Sequence, residues 1–239
     1  MDGLRRHGHG ASLSLPQLFP TPNLRCVEVS EHLVMLDLSA GTYEVADAVG
    51  AAMWAQLTRS PVDRDIRGLA QRFGASPSVV EADFMDFGAA QLAAGRLVEE
   101  RPHEAPPPIL QMQRRRPTAL LALKERASAE RDLRRGFADA YGKRTQPMAD
   151  TTTPRADVER LTKIFRSAES LYPAREAPLD CLPRSLALTC FLRAAGWPVQ
   201  HVIGVALYPF EAHAWVELNG APLNEGETFL HRFTVIQKA

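Results

Sequence analysis

The chain has 239 residues, which fits one or two domains of ordinary size. Apolar residues make up 45% of it and charged residues 23%, so a collagen, a coiled-coil rod and a mostly disordered chain are excluded. The 28 basic side chains balance the 28 acidic ones, which leaves no broad positive field for nucleic acid or an anionic membrane. We therefore expect a globular protein that binds neither.

Three cysteines, Cys26, Cys181 and Cys190, are too few and odd in number for a disulfide framework. They favour a reducing, cytoplasmic setting, although pairing of Cys181 with Cys190 under oxidation stays open. No apolar run reaches the length of a membrane helix. Prolines interrupt the N-terminal residues, which lack the apolar run of a signal peptide, so we expect a loose tail over residues 1–22.

Residues 23–100 alternate between short strand patterns and helical patterns. Alternating apolar residues and turn signals predict strands, at 27–29, 32–38, 42–45 and 97–98. Apolar residues at three- and four-residue spacing predict helices, at 45–57, 63–73 and 77–94. Gly74 is placed to end the second helix, and Ser76 with Pro77 to begin the third. The pattern is that of a winged-helix-like module.

Residues 101–118 break this pattern with three consecutive prolines, which favour an extended polyproline II segment. We place the domain boundary there and a second domain over residues 119–239. The arginine run at 114–116 is interpreted as part of a solvated linker, with binding to an acidic partner as the weaker alternative. Helical patterns then follow, at 119–142 and 156–171. The role of the first of these segments stays open.

Cys181 stands at the start of an apolar helix that Pro183 helps to begin and Gly196 ends. The positive end of the helix dipole and the amides of the first turn favour a thiolate at such a position. Because the thiolate is the nucleophilic form of cysteine, the position suits catalysis. A cysteine before a helix is most often an inert apolar residue, and that interpretation is kept as the alternative.

Strand patterns follow that helix, at 199–207 and 212–218. Asn219-Gly220 predicts a hairpin turn before a third strand. The second strand carries His213, which this order of elements can present to the start of the helix. In a Cys181–His213 pair, the His213 imidazole would accept the thiol proton and later protonate a leaving amine. The cysteines and histidines do not have the spacing of a metal site, and we expect no metal and no cofactor.

Two segments resemble known families. Residues from about 155 to 230 resemble the transglutaminase-like cysteine peptidases of lasso-peptide biosynthesis, the leader-peptidase B proteins. The matching motifs are CLPRSLAL at 181–188, LRAAG at 192–196, IGV at 203–205 and HAWVELNG at 213–220. Residues from about 24 to 99 resemble the RiPP recognition element, a PqqD-like domain, through LDLSAGTYEV at 36–45 and the following Met53-Trp54. Their order is that of the fused B proteins.

This resemblance implies an α+β fold, in which a winged-helix-like, PqqD-like module is joined by the linker to a transglutaminase-like, papain-like peptidase domain. The first module is expected to bind the leader of a ribosomally made lasso precursor peptide. The second is expected to hydrolyse the bond between leader and core. A separate asparagine-synthetase-like cyclase would then use ATP to close the macrolactam.

Carried over to this chain, the resemblance makes Cys181 the nucleophile and His213 the general base. The Asp that the family has after its histidine strand is missing, so we align Glu225 with it and keep Asn224 as the next candidate. Glu217 shares a face with His213 by strand alternation and stays a third candidate. The backbone amide of Cys181 is expected to meet the oxyanion, together with a side-chain donor that the sequence does not identify.

Recognition modules of this type take up a peptide as an added strand. The resemblance therefore implies a binding edge of four residues, Thr42, Tyr43, Glu44 and Val45. Acidic residues of helix 77–94 are candidates to meet a basic leader residue, with a solvated face as the alternative; they are Glu81, Asp83 and Asp86. Trp215 is expected to cover the imidazole, to line the cleft or to lie in the core.

Two other functions compete with a leader peptidase. The uncertain third member of the site leaves room for a non-catalytic adaptor that delivers the precursor to the cyclase. A DNA-binding winged helix would need helix 77–94 as its recognition helix, yet that helix carries acidic residues and neither Lys nor Arg. Since acidic residues repel phosphate, we set this function aside.

Overall fold

The computed structural model describes residues 15–103, 115–147, 153–154, 156–173 and 180–239. Its strands are β1 (Phe19–Pro20), β2 (Leu24–Val29), β3 (His32–Asp37), β4 (Thr42–Ala46), β5 (Leu97–Val98), β6 (Gln200–Ala206), β7 (Glu211–Leu218), β8 (Ala221–Pro222) and β9 (Thr234–Lys238). Its helices are α1 (Ala48–Leu57), α2 (Ile66–Phe73), α3 (Pro77–Ala93), α4 (Ala119–Arg135), α5 (Phe137–Thr145), α6 (Val158–Glu169), α7 (Cys181–Ala194) and α8 (Glu227–Leu230), with a 3₁₀ turn at Pro61–Asp63. Most of the predicted linker lies outside the described residues. Among the described residues, no helix is both long and apolar enough to cross a membrane.

The chain divides into two compact units, the first Met1–Thr21 with Ala48–His103 and the second Pro22–Asp47 with Glu104–Ala239. This division differs from the predicted domain boundary, because β2, β3 and β4 belong to the second unit whereas α1, α2 and α3 belong to the first. These strands belong to the second unit because the apolar side of β3 is buried there. Val34 and Leu36 are fully buried in the core that also contains α4 and α7.

In the first unit, α1, α2 and α3 pack on one another and β1 pairs antiparallel with β5. Two predicted helix signals are confirmed: Gly74 adopts the left-handed conformation at the end of α2, and the Ser76 side chain accepts a hydrogen bond from the Val79 amide at the start of α3. α2 begins at Ile66 and not near residue 63, because Asp65 accepts a hydrogen bond from the Gly68 amide at 2.7 Å and caps the helix there. The predicted loose tail differs from the structure in its described part. Leu18 is fully buried and its amide donates to the Leu57 carbonyl at 3.0 Å, which fixes this segment on the unit.

The second unit contains two antiparallel sheets, with strand orders β2-β3-β4 and β8-β7-β6-β9. The predicted strands around His213 are confirmed as β6 and β7, and their hairpin partner β8 is short. A further strand that was not predicted, β9, pairs with β6 on the side away from β7. β2 lies near β9, and there the Arg25 Nε donates to the Gln237 Oε1 at 2.8 Å.

Helices cover the four-stranded sheet of the second unit. α7 is buried on all sides from Ser185 to Ala194, between β7 and the helices α4, α5 and α6. The single helix predicted over 119–142 is divided at Gly136 into α4 and α5. The packing of α7 on β7 brings the first residue of the helix, Cys181, to the strand that carries His213.

Candidate active site

Cys181 begins α7, as the sequence predicts, and the residue before it is tied down by two arginines. The Asp180 carboxylate accepts hydrogen bonds from Arg126 and, at 2.8 Å, from Arg184 Nη2. Among the described contacts it makes no capping hydrogen bond to the helix. The first turn of α7 thus keeps the positive electrostatic character of a helix N-terminus, which favours an anion.

His213 and Glu225 approach Cys181 from the other side of the site. His213 pairs with Gly204 in the sheet register, and its Nε2 lies 3.3 Å from Oε1 of Glu225. Cys181 is a hydrogen-bond partner of the same imidazole. The structure therefore brings together the thiol, the imidazole and the carboxylate that the sequence analysis named first.

Two opposing effects set the protonation of His213. Burial lowers the pKa of an imidazole, whereas hydrogen bonds and charge interactions with Cys181 and Glu225 raise it, and the net result lifts the pKa of His213 to about 9. The contacts with Cys181 and Glu225 thus favour the cationic form of the ring. A cationic imidazole next to a cysteine stabilises the thiolate, which is the nucleophilic form.

The two other candidates for the third member have different partners. Asn224 accepts a hydrogen bond from the Val216 amide at 2.8 Å, and its Nδ2 lies 3.4 Å from Glu225 Oε1. Glu217 accepts from the Trp215 indole N–H at 2.8 Å and from Lys238 Nζ at 2.6 Å. Asn224 is thus a neighbour of Glu225, whereas the carboxylate of Glu217 is bound to Trp215 and Lys238.

Aromatic rings surround the imidazole of His213. Trp215 and Phe233 lie nearly parallel to it, with ring centroids 6.3 and 5.5 Å away, and Phe229 meets it edge-on at 5.1 Å. Trp215 is 2% exposed and is held by its hydrogen bond to Glu217, so it covers the imidazole from within the core. Phe229 and Phe233 were not among the predicted site residues, and no motif in their segment points to them.

A buried network of charges lies next to the start of α7. Arg126 is 2% exposed and contacts three carboxylates, those of Glu130 at 2.7 Å, Glu169 at 3.4 Å and Asp180. Arg184 joins Glu169 to Asp180 at 3.2 and 2.8 Å. Arg126 was not among the predicted site residues, although its spacing of four residues from Glu130 on a helix is a signal for an ion pair.

Cys181, His213 and Glu225 open onto one cleft with a volume of about 1090 Å³. Its lining includes Cys181, His213 and Glu225 and is rich in rings and aliphatic side chains, among them Tyr43, Leu133, Phe137, Leu182, Phe210, Phe229 and Phe233. Burial and the charge of Cys181 raise the pKa of Tyr43 to about 12, so its hydroxyl stays neutral. Within the described ranges, no group of three or more His, Cys, Asp or Glu side chains could hold a metal ion.

The predicted leader-binding residues fall in both units. Thr42, Tyr43, Glu44 and Val45 form β4, the outer strand of the three-stranded sheet in the second unit. The acidic residues of α3, namely Glu81, Asp83 and Asp86, are exposed in the first unit. Each set therefore lies on the surface of its own unit.

A thiol, an imidazole and a carboxylate that face one cleft form the constellation of a cysteine nucleophile with its base. The chain belongs to the transglutaminase-like superfamily, whose profile matches residues 119–238, which is half of the chain.

Two individual proteins are also similar to this chain. The microcin J25-processing protein McjB of Escherichia coli is 37% identical over 57 residues, which are 24% of this chain and 27% of that protein. This chain therefore matches about a quarter of the length of that relative. The solved structure of TbiB1 in complex with the TbiA(beta) leader peptide is 22% identical and covers 35% of this chain and 98% of its own, with a TM-score of 0.27.

Proposed function

We propose that the chain is a cysteine peptidase that binds the leader of a lasso precursor peptide and hydrolyses the bond between leader and core. The observation that carries the proposal is the meeting of Cys181, His213 and Glu225 at one cleft. Membership of the transglutaminase-like superfamily supports it. The local similarity to a protein that processes a microcin supports a peptide substrate.

The first half of the reaction would use the thiolate and the imidazolium. The Cys181 sulfur attacks the scissile carbonyl carbon, and the negative charge that forms on the oxygen is stabilised at the N-terminus of α7. The His213 proton passes to the leaving nitrogen as the carbon–nitrogen bond breaks. The core peptide leaves with a free amine, and the leader stays bound as a thioester of Cys181.

The second half would return the site to its starting state. The neutral His213 takes a proton from water, and the hydroxide attacks the thioester carbonyl and displaces the sulfur. The leader leaves with a free carboxylate and His213 is again a cation beside the Cys181 thiolate. Glu225, 3.3 Å from the ring, would keep the imidazole oriented and stabilise its charge throughout.

Leader capture would use surfaces outside the cleft. The outer strand β4 offers main-chain hydrogen-bonding groups to an added peptide strand. The exposed acidic residues of α3, Glu81, Asp83 and Asp86, would attract a basic leader residue. Release of the core amine would supply the substrate of an asparagine-synthetase-like cyclase, which we propose as the partner that closes the macrolactam.

The deciding experiment mixes the purified chain with the precursor peptide encoded beside its gene and follows masses over time. Wild type should release an intact leader, whereas Cys181→Ala should not. Cys26→Ala is the matched control, because burial raises the pKa of the Cys26 thiol to about 12 and leaves it unreactive at neutral pH. Cleavage by Cys181→Ala at the wild-type rate would contradict the nucleophile assignment.

A non-catalytic adaptor predicts a different set of results. Neither wild type nor variant would then cleave the precursor, while leader binding would persist in both. Iodoacetamide would also label Cys181 slowly at neutral pH, because a cysteine without a catalytic base is mostly in its unreactive thiol form. Adding the cyclase to the same reaction separates an adaptor from a peptidase that needs its partner.

A further inference from the structure

The cleft is lined in part by the hairpin between β3 and β4, far along the sequence from the catalytic helix and strand. Gly41 at the turn and Tyr43 in β4 both line it together with Cys181 and His213. All four belong to the second unit. The strand whose outer edge would receive the leader therefore also presents a side chain to the peptidase cleft.

Contacts on two sides hold this hairpin in the wall of the cleft. Gly41 has a φ of +72°, and a Cβ atom there would lie 2.5 Å from the ring of Phe137, so the turn is in close contact with α5. The ring of Tyr43 packs against Phe210, with centroids 5.5 Å apart. Tyr43 is half-buried, and Phe210 is exposed.

Each charged group that lines the cleft has an oppositely charged partner, either in the lining or next to it. Asp180 pairs with Arg184, and Glu211 pairs with Arg232. Glu130 contacts Arg126 and Arg134, and Glu225 contacts His213. Since these charges already have partners, the lining offers a substrate side chain mainly rings and aliphatic groups. Such a lining favours an apolar side chain and disfavours a carboxylate.

We propose that Tyr43 is a specificity-determining residue of the peptidase cleft. Its ring forms, with Phe137 and Phe210, a subsite for an apolar side chain of the substrate next to the scissile bond. This inference rests on the proposed function and adds to it, since β4 then has two separable roles. Its main-chain edge would bind the leader, and its Tyr43 side chain would select a residue at the bond that is cut.

The test compares pairs of precursors that share one leader and differ at one residue beside the mapped bond, which is Leu in one and Asp in the other. Each flanking position is exchanged in turn, and kcat/KM is measured for both members of the pair. The ratio of the two values cancels leader affinity, because both substrates carry the same leader. Wild type should prefer Leu at one flanking position.

Tyr43→Ala should lower that preference by about tenfold, the scale of a lost part of an apolar pocket. Phe210→Ala should lower the same preference, and because Phe210 is exposed this variant provides the test if Tyr43→Ala fails to fold. Tyr43→Phe should keep it, since the ring remains. Tyr208→Ala is the matched control, because Tyr208 is an exposed tyrosine outside the cleft lining that contacts His32.

Three outcomes would overturn the inference in distinguishable ways. Wild type without any preference for Leu would show that no apolar subsite exists. An unchanged preference in both Tyr43→Ala and Phe210→Ala, with slower cleavage of both substrates, would limit Tyr43 to leader binding. No cleavage of any precursor by wild type, either alone or with the cyclase added, would overturn the proposed function and the subsite together.

Discussion

The nucleophile and the base of the candidate site are held in place by different forces. Next to Cys181, the start of α7 is fixed by ion pairs in which the buried Arg126 and the half-buried Arg184 share the carboxylates of Glu169 and Asp180. His213, in contrast, is surrounded by aromatic rings and has one carboxylate near it, that of Glu225. One side of the site depends on charge and the other on packing.

Because of this difference, the two sides tolerate different substitutions. A buried ion network fails when one charge is removed, because its partners are left without compensation in a poorly solvated place. The folding stability of an aromatic cluster tolerates changes of charge nearby but not added volume, since its rings already fill the space. The two sides should therefore respond to opposite kinds of substitution.

The largest effect is expected from Arg126→Met, which keeps much of the side-chain volume and removes the buried charge. Glu130, Glu169 and Asp180 lose their shared partner, and breaking a buried ion pair costs about 3–5 kcal/mol. The free energy of unfolding from a urea titration should fall by about that amount. The loss should also loosen Asp180, the residue that precedes the nucleophile.

Arg134→Met is the matched control for this prediction. Its guanidinium lies 3.5 Å from the same Glu130, but the Arg134 side chain is 61% exposed. Exposed ion pairs contribute little because water and salt screen them. If the two variants lose similar amounts of stability, the charge network is not what holds the start of α7.

On the other side of the cleft, Glu225→Gln should have the next largest effect. It removes the carboxylate that helps to raise the pKa of His213 to about 9, so the pKa should fall. Because the imidazolium form is lost as the pH rises through its pKa, the alkaline limb of the pH–rate profile should move to lower pH. The maximal kcat should fall by about 10²-fold or more, as for loss of the orienting carboxylate in other triads.

Glu217→Gln tests which of two carboxylates acts on His213: that of Glu217 in the same strand, or that of Glu225 after it. Its new amide can still accept the indole N–H of Trp215, and it loses only the partly exposed ion pair with Lys238. The alkaline limb should therefore stay where it is in wild type. A shift in Glu217→Gln with none in Glu225→Gln would reverse the assignment of the third member.

Added volume on the aromatic side of the site should lower the free energy of unfolding by about 1–3 kcal/mol. The Cβ of Gly204→Ala would lie 2.6 Å from the Trp215 ring and 2.9 Å from the Phe233 Cβ, which forces the rings around His213 to move. Gly142→Ala is the opposite case: a Cβ there meets nothing within 4 Å, and alanine in a helix should stabilise by about 0.5–1 kcal/mol. Thermal unfolding of both variants measures the contrast, and equal shifts would contradict it.

The parts of this site that follow local rules can be predicted from the sequence. A helix start at Cys181, a strand at His213 and a turn before Glu225 can each be predicted from a few neighbouring residues. The contact of Arg126 with Asp180 joins residues 54 positions apart, and no local pattern encodes it. The approach of Tyr43 to the cleft is equally remote in sequence. It follows from the apolar face of β3, whose burial places β2, β3 and β4 in the second unit.

Within any one pH unit, the smallest effect should come from the two histidines, which change stability at opposite ends of the pH scale. The pKa of His213 is raised from 6.5 to about 9, so its stabilising contribution is complete below pH 6.5 and is lost as the pH rises through about 9. His201, fully buried with its Nε2 2.8 Å from the Ser185 hydroxyl, has a pKa lowered from 6.5 to about 3. Its contribution is present above pH 6.5 and is lost on acidification, when the unfolded chain takes up the proton first.

Urea midpoints measured across the pH range test both directions. His213→Gln should flatten the alkaline decline and His201→Gln the acid decline, each by at most about 1.4 kcal/mol per pH unit. Either variant that flattens the opposite side would contradict the environment described for that ring. Because His201 bonds to Ser185 of α7 and His213 to Cys181 at the start of that helix, the two slopes compare a structural imidazole with that of the candidate base.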